Sequence, residues 1–269
     1  MSTRPRVVAT DLDGTLLRTD GTLSARTREA IAAAERSGIV TVFVTGRPPR
    51  WLDELADAVG AHGVAICGNG AFVYDVAARR VTEARTFERG AVADIVGDLR
   101  ALYPTVKVAV ETADGPASER DFLRTLEVLG RPTTLDELVA LDAGKLLARA
   151  DDVADAEFLA AVADIVRGRA ELAVSERTGL AEMSAVGVTK ASGLAAWCQE
   201  RDFTAADVWA FGDMPNDLPM LGWAGRAHAV SNAHPDVLEI ASHVIGSNDE
   251  DAVAGVLESL LSTETQGAP

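Results

Sequence analysis

A short apolar run that ends in two acids constrains this chain more than any other feature. Val7 to Ala9 form the run, and Asp11, Asp13 and Gly14 follow it. Side chains at positions i and i+2 of extended chain point the same way, so both carboxylates can face one cavity at the end of a buried parallel strand. Open α/β sheets bind ligands at that end. Two like charges there favour a cation or a shared proton between them, and Mg²⁺ suits such an oxygen-rich pair. The alternative is a plain turn, which Asp and Gly commonly form.

The overall charge argues against two classes of partner. The 269 residues carry a net charge of −16, which argues against binding nucleic acid or an anionic membrane through long-range electrostatics. No apolar run approaches the ~20 residues that span a bilayer, and no signal-peptide apolar region precedes the first strand. We therefore expect a cytoplasmic protein that attracts any anionic substrate locally, with a metal or with placed Lys and Arg side chains.

A second buried strand, predicted over 39–44, ends in Thr45-Gly46-Arg47. A hydroxyl at a strand end, beside backbone N–H groups freed by glycine and by a helix start, is suited to hold phosphate oxygens. The alternative is an ordinary strand-to-helix turn with a solvated arginine. A third strand ends near Asn69-Gly70, which favours a turn, and a plain hairpin is as good an interpretation there as a direct role for Asn69.

Lys190 stands at the predicted start of a helix that Thr189 can cap. One interpretation is a solvated lysine in the first turn. That interpretation is slightly disfavoured, because a cation opposes the helix dipole at an N-terminus. A lysine placed there for another reason is a phosphate ligand.

A further strand, predicted over 208–211, ends in Gly212-Asp213 with Asn216 and Asp217 close behind. Two acids and an amide at a strand end again indicate a cavity for a hard metal ion. The alternative is an acidic loop in which Asn216 or Asp217 caps the next helix, and Asp217 could serve both purposes.

The middle of the chain, from about Phe87 to Ser184, follows a different pattern. The sequence predicts helices over 91–102, 119–129, 135–141 and 152–166, and strands over 106–111, 145–148, 171–175 and 180–184. An alternation of helices and strands that ends in a strand pair indicates a compact α+β unit with an antiparallel sheet.

The motifs at the strand ends occur in an order that is typical of one known family. They are Asp11-Leu12-Asp13-Gly14-Thr15, Thr45-Gly46-Arg47, Lys190, and Gly212-Asp213 with Asn216-Asp217. The ordered set resembles the haloacid dehalogenase superfamily, whose members are mostly phosphatases. The interval between the first two motifs is too short for a domain, whereas the interval between the second and third far exceeds one strand and helix. An α+β insertion at that place resembles the type IIB cap of the Cof-type branch.

The resemblance implies an α/β fold with a Rossmann-like doubly wound parallel sheet core and an inserted α+β cap domain. Residues 1–84 and 185–269 would form the hydrolase core, and residues 85–184 would form the cap that sets substrate specificity. The cap itself resembles the family only in its size and the order of its elements.

Roles for individual residues follow from chemistry together with this resemblance. Asp11 would be the nucleophile, and Asp13 would protonate the leaving oxygen and then activate water. Mg²⁺ would be held by Asp11, the backbone carbonyl of Asp13 and Asp213, with Asp217 in support. The phosphoryl oxygens would be held by the backbone N–H of Leu12, by Thr45, by the N–H of Gly46, by Lys190 and by Asn216.

The predicted function is a Mg²⁺-dependent phosphatase for small phosphorylated metabolites, with sugar phosphates favoured. A phosphosugar mutase of the same superfamily and a non-catalytic phosphometabolite-binding protein are the alternatives. Dehalogenation is disfavoured, because the dehalogenases lack the carboxylate that Asp13 supplies. The sequence leaves the substrate and the oligomeric state open. The candidates for residues that set specificity are Lys107, Glu111, Arg149 and Glu182, although each is better explained as a charged residue of the surface.

Overall fold

Contacts between residues divide the computed structural model of the protein into two units. One unit combines Met1–Arg80 with Lys190–Pro269, and the other is Val81–Thr189. The structure describes residues 4–58, 63–120, 122, 130–174 and 179–265. Within these ranges, no helix has the length and apolar character needed to cross a membrane.

The strands are numbered in chain order and form two sheets. β1 to β5 are Val7–Thr10, Val40–Val44, Val64–Cys67, Phe72–Asp75 and Arg80–Ala84. β6 to β11 are Lys107–Thr112, Gly115–Ser118, Arg131–Pro132, Lys145–Arg149, Glu171–Val174 and Ala181–Ser184. β12 to β14 are Val208–Gly212, Arg226–Val230 and His243–Ile245.

The α-helices are also numbered in chain order. α1 to α4 are Ala25–Arg36, Ala91–Leu102, Leu135–Leu138 and Asp155–Val166, and α5 to α8 are Lys190–Gln199, Leu218–Trp223, Pro235–Ile240 and Ala252–Thr265. Short 3-10 helices occupy Pro49–Ala58, Gly68–Gly70, Ala205–Asp207, Pro215–Asp217 and Asn248–Glu250.

The first helix shows how local sequence sets the limits of an element. The side chain of Ser24 accepts a hydrogen bond from the N–H of Thr27, so α1 begins where a polar cap is available. The helix stops before Gly38, whose φ of 87° lies in the left-handed region that glycine adopts without steric cost. The polar cap and the glycine stop are both visible in the sequence, so local sequence is enough to set both limits.

The first unit is built around a sheet with the strand order β14-β13-β12-β1-β2-β3-β4-β5. β1 pairs in parallel with β12 on one side and with β2 on the other, and Thr10 lies level with Phe211 and Phe43. The chain therefore moves outward through β2 and β3 and later returns to the other side of β1. The strand order reverses between β1 and β12, as it does in doubly wound folds. The predicted parallel core is confirmed.

The second unit carries a sheet with the order β10-β11-β9-β6-β7-β8, in which every pair except β7 with β8 is antiparallel. Apolar side chains of α2 and α4, such as Ile95 and Phe158, pack with those of β6 and β9, such as Val108 and Leu146. One face of this sheet is therefore covered by helices. The predicted inserted α+β unit is confirmed.

The predictions for β7, β8, α3 and the start of α4 in the second unit were inaccurate. β8 was not predicted, and α4 begins at Asp155 rather than at 152. β7 was missed, because its first residues are Gly115 and Pro116, which are depleted in strands. α3 ends at Leu138 rather than at 141. Most of the helix predicted over 119–129 lies outside the described residues, and its first two residues, Glu119 and Arg120, are not helical.

Charged residues of the second unit are less exposed than the sequence suggested. Glu111 is only 3% exposed, so the interpretation of this residue as a surface charge is wrong. It lies level with the buried Lys145 across β6 and β9, and the Lys145 Nζ is 2.5 Å from a Glu182 carboxylate oxygen. Burial of an acid is tolerated where cations and polar partners share the site.

The packing of α5 generates a test of the fold. A Cβ added to Gly193 would lie 2.8 Å from the Ile66 Cγ2 and 2.9 Å from the Gly70 Cα, whereas a Cβ on Gly222 in α6 would meet nothing within 4 Å. At both positions alanine favours the helix over glycine by about 1 kcal/mol of intrinsic free energy. We expect Gly193→Ala to lower the free energy of unfolding in urea by about 1–3 kcal/mol relative to Gly222→Ala, because a crowded contact must shift. Equal stabilities would contradict this packing.

Candidate active site

Two neighbouring strand ends bring the predicted nucleophile and a second acid together. Asp11 directly follows β1, and its N–H donates to the carbonyl of Phe211 in β12 at 3.0 Å. Asp213 directly follows β12. Both side chains are buried, at 5% and 6% exposure. The crossover in the strand order thus places two acids at the point where doubly wound folds bind their ligands.

Lys190 is the buried centre of this cluster. Its Nζ donates to a carboxylate oxygen of Asp11 and to one of Asp217, each at 2.6 Å, and the lysine is 2% exposed. The alternative of a solvated lysine is therefore wrong. Burial lowers the pKa of Lys190, but the two carboxylates together outweigh this effect and raise the pKa above its usual value.

The acids of the cluster carry more negative charge than the single lysine offsets. Burial raises the pKa of Asp11 well above its usual value; the Lys190 ammonium opposes this effect, while Asp217 and Asp213 add to it. Burial and the neighbouring Asp217 likewise raise the pKa of Asp213 to about 6, against a hydrogen bond from the Thr15 hydroxyl. A further positive charge would therefore stabilise this cluster.

The arrangement of oxygen atoms suits a divalent cation. Asp11, Asp213 and Asp217 each offer an oxygen, and these atoms lie within 4.8 Å of one another. All are hard carboxylate ligands, as Mg²⁺ prefers. Both oxygens of Asp217 already accept hydrogen bonds: one from Lys190, the other from the N–H groups of Asp213 and Met214. Asp217 thus fits a supporting position better than direct coordination.

Asp13, the second acid of the first motif, lies in a different environment from Asp11. Its side chain is 59% exposed and is bound by the guanidinium of Arg47, at 2.6 and 2.7 Å. The backbone turns directly after it, at Gly14 with a φ of 80°. A Cβ at Gly14 would lie 2.3 Å from a carboxylate oxygen of Asp213, so only glycine lets the turn approach the cluster so closely.

The loops after β2 and β3 are joined by hydrogen bonds. The buried Thr45 accepts the N–H of Arg47 on its hydroxyl and the N–H of Asn69 on its carbonyl, both at 3.0 Å. Asn69 has a left-handed φ of 58° and accepts a hydrogen bond from the Asn216 amide at 3.2 Å. A Cβ at Gly46 would lie 3.2 Å from the same Asn69 oxygen. Two predicted phosphate-binding residues, Thr45 and Asn216, are thus connected through Asn69, and Gly46 lies close beside it.

Leu12 completes the set of predicted residues. It is fully buried in the turn after Asp11, and its carbonyl accepts the N–H groups of Thr15, Leu16 and Leu17. These bonds fix the turn that follows the predicted nucleophile, Asp11.

The sequence assigned no role to Thr15 or Arg47 and left a direct role for Asn69 open, yet the structure brings all three residues to the site. Thr15 binds Asp213, Arg47 binds Asp13, and Asn69 joins Thr45 to Asn216. All three belong to or adjoin motifs that the sequence does display. No local pattern, however, indicates which distant side chain a threonine hydroxyl, an arginine or an asparagine will contact.

Comparison with known proteins identifies the family. The family model described as haloacid dehalogenase-like hydrolase matches residues 8–257. The chain belongs to this family of hydrolases, in its Cof-type branch, as predicted.

Relatives match over nearly the whole chain. The chain is 28% identical to the 5-amino-6-(5-phospho-D-ribitylamino)uracil phosphatase YcsE of Bacillus subtilis, with 93% of each protein covered. It is 29% identical to the pyridoxal phosphate phosphatase YbhA of Escherichia coli, with 95% of this chain and 98% of the relative covered. The structure of the HAD subclass IIB sugar phosphatase BT4131 matches with a TM-score of 0.77 at 21% identity, over 94% of this chain and 98% of that one. This last likeness shows the fold.

The buried lysine generates the second test. Lys190→Met would leave Asp11 and Asp217 buried without their cation, so we expect the free energy of unfolding at neutral pH to fall by about 3–5 kcal/mol in urea titrations. The matched control is Lys107→Met, which removes a partly exposed lysine from β6. An Lys190→Met variant as stable as this control would contradict the buried ion pairs.

Proposed function

We propose that this chain is a Mg²⁺-dependent phosphatase that hydrolyses small phosphorylated metabolites of the sugar phosphate class through an aspartyl phosphate on Asp11. The observation that carries the proposal is the buried contact between Asp11 and Lys190, beside Asp213. A carboxylate held in this way is fixed in orientation next to positive charge, as a nucleophile for a phosphate dianion requires. The names of the relatives support a phosphate ester as the substrate.

The reaction divides into two displacements. A carboxylate oxygen of Asp11 forms a bond to phosphorus while the ester P–O bond breaks, and the leaving oxygen takes the proton of Asp13. Asp13 then removes a proton from water, and the water oxygen attacks phosphorus. The P–O bond to Asp11 breaks, which releases inorganic phosphate and restores both carboxyl groups to their starting states.

The chain offers donors for the oxygens of the phosphoryl group. An ammonium group has three N–H donors, and Lys190 uses two of them on Asp11 and Asp217, so the third is left for the substrate. The Thr45 hydroxyl accepts a bond from Arg47 and can still donate its own proton. In the proposed site these donors act with the N–H groups of Leu12 and Gly46 and with the amide of Asn216.

Mg²⁺ fits the surplus negative charge of the cluster. Asp11 and Asp213 would supply carboxylate oxygens, Asp13 would supply its backbone carbonyl, and Asp217 would support them. When bound, the ion supplies charge screening between the carboxylate of Asp11 and the phosphoryl oxygens. The need for Mg²⁺ follows from electrostatics, since the Asp11 carboxylate and the phosphoryl group are both anions and repel each other without a cation.

Measurements of product distinguish the phosphatase from its alternatives. The phosphatase should release inorganic phosphate steadily from a sugar monophosphate, without a bisphosphate activator. A phosphosugar mutase would interconvert positional isomers instead. A binding protein would turn over neither sugar phosphates nor generic aryl phosphates.

The nucleophile assignment predicts the effect of Asp11→Asn. An amide has a similar shape but is a poor nucleophile, so we expect phosphate release to fall by at least about 100-fold while the protein stays folded. The readout is phosphate release from a panel of phosphorylated metabolites, with the thermal unfolding midpoint as the check on folding. Asp114→Asn, which alters an exposed acid of the second unit, should keep wild-type activity. More than a few per cent residual activity in Asp11→Asn would overturn the assignment.

The metal assignment predicts a requirement for Mg²⁺. Activity should vanish in EDTA and return with Mg²⁺, whereas Ca²⁺ should inhibit because its larger, looser coordination fits the attack geometry poorly. Mg²⁺ should also raise the unfolding midpoint of the wild type, because it binds the folded state, and should not raise that of Asp213→Asn. Full activity in metal-free buffer would exclude this mechanism.

A further inference from the structure

The exposed acid of the first motif has one clear partner. The Arg47 Nε donates to one carboxylate oxygen of Asp13 at 2.7 Å, and the Arg47 Nη2 donates to the other at 2.6 Å. Within the described residues, these are the only hydrogen bonds that the Asp13 carboxylate makes. Arg47 therefore sets both the position and the plane of this carboxylate.

Arg47 is itself attached to the loop that follows β2. Its N–H donates to the Thr45 hydroxyl, and its carbonyl accepts the N–H of Gly68, both at 3.0 Å. Its backbone is therefore held from two sides. The side chain is 20% exposed, against 59% for Asp13, so the better-buried partner holds the more exposed one.

We propose that Arg47 is the positioning residue of Asp13 and that it orients this carboxylate for proton transfer. The inference rests on the proposed function, in which Asp13 gives a proton to the leaving oxygen and takes one from water. Proton transfer requires a separation of about 2.6–3.2 Å between heavy atoms. A short, exposed side chain beside a glycine turn would otherwise sample several rotamers, and only a fraction of them would meet that requirement.

The two parallel hydrogen bonds from the Arg47 guanidinium, which we call the fork, leave Asp13 free to react. A carboxylate has about four lone-pair sites, of which Arg47 occupies two, so a site remains on each oxygen. A planar guanidinium fixes the carboxylate plane through two parallel bonds, which the ammonium of lysine cannot do. Arginine at this position therefore contributes a fixed hydrogen-bond geometry as well as a positive charge.

The test is a double-mutant cycle of Arg47→Gln with Asp13→Asn, measured as kcat and KM for a sugar monophosphate in Mg²⁺. We expect Arg47→Gln to lower kcat by about 10- to 100-fold, since a displacement of 1 Å at a reacting group can cost about 100-fold. KM should change by less than about threefold. In the Asp13→Asn background, Arg47→Gln should have no further effect on kcat, because a residue that acts through Asp13 has nothing left to position.

Two variants control the experiment. Arg47→Lys keeps the charge but not the fork, so it should recover only part of kcat, and it provides the test if Arg47→Gln does not fold. Arg50→Gln removes a nearby arginine whose guanidinium lies over the Trp51 ring, and it should keep wild-type kcat and KM. Thermal unfolding midpoints check that each variant is folded.

Four outcomes would overturn the inference. Wild-type kcat in Arg47→Gln would exclude a role for the fork, and full recovery by Arg47→Lys would reduce the role to charge. A raised KM with unchanged kcat would make Arg47 a substrate contact. Additive losses in the double variant would show action independent of Asp13. A wild type that releases no phosphate from any ester would instead refute the proposed function, and the inference would fall with it.

Discussion

The buried ion pairs of Lys190 are the interaction on which the rest of the site depends. A fully buried ammonium is costly unless carboxylates surround it, and Asp11 and Asp217 each bind it at 2.6 Å. The same lysine holds Asp11 in place and partly neutralises it. Asp213 adds a further buried acid, so the cluster remains short of positive charge. The pairing therefore stabilises the site and leaves it suited to a cation and to a phosphoryl group.

The parallel sheet is what brings these charges together. Asp11 and Asp213 lie far apart in the chain, and they meet because β1 and β12 are neighbours whose carboxyl ends coincide. Lys190 reaches them from the first residue of α5, which packs closely enough on the sheet that Gly193 has no room for a Cβ. A change in that packing would move the lysine relative to its two partners.

Two acids separated by one residue lie in contrasting environments. Asp11 is buried beside a lysine and two further acids, whereas Asp13 is largely exposed and held by Arg47. The turn that begins at Leu12 produces this contrast, because it leads the chain away from the end of β1, and at Gly14 it brings the backbone against Asp213. Different environments suit the different roles proposed for the two acids, a fixed nucleophile inside and a proton donor open to the leaving group and to water.

Local sequence by itself determined most of the strands, the limits of α1 and the family to which the chain belongs, because each depends on short apolar runs, caps and motifs. It also placed Asp11, Thr45 and Asp213 at strand ends. Only the tertiary structure decided which side chains meet. The burial of Glu111 and the joining of Thr45 to Asn216 by Asn69 depend on register between distant segments. Gly115 and Pro116 form a strand only because β6 pairs with them, which no local preference predicts.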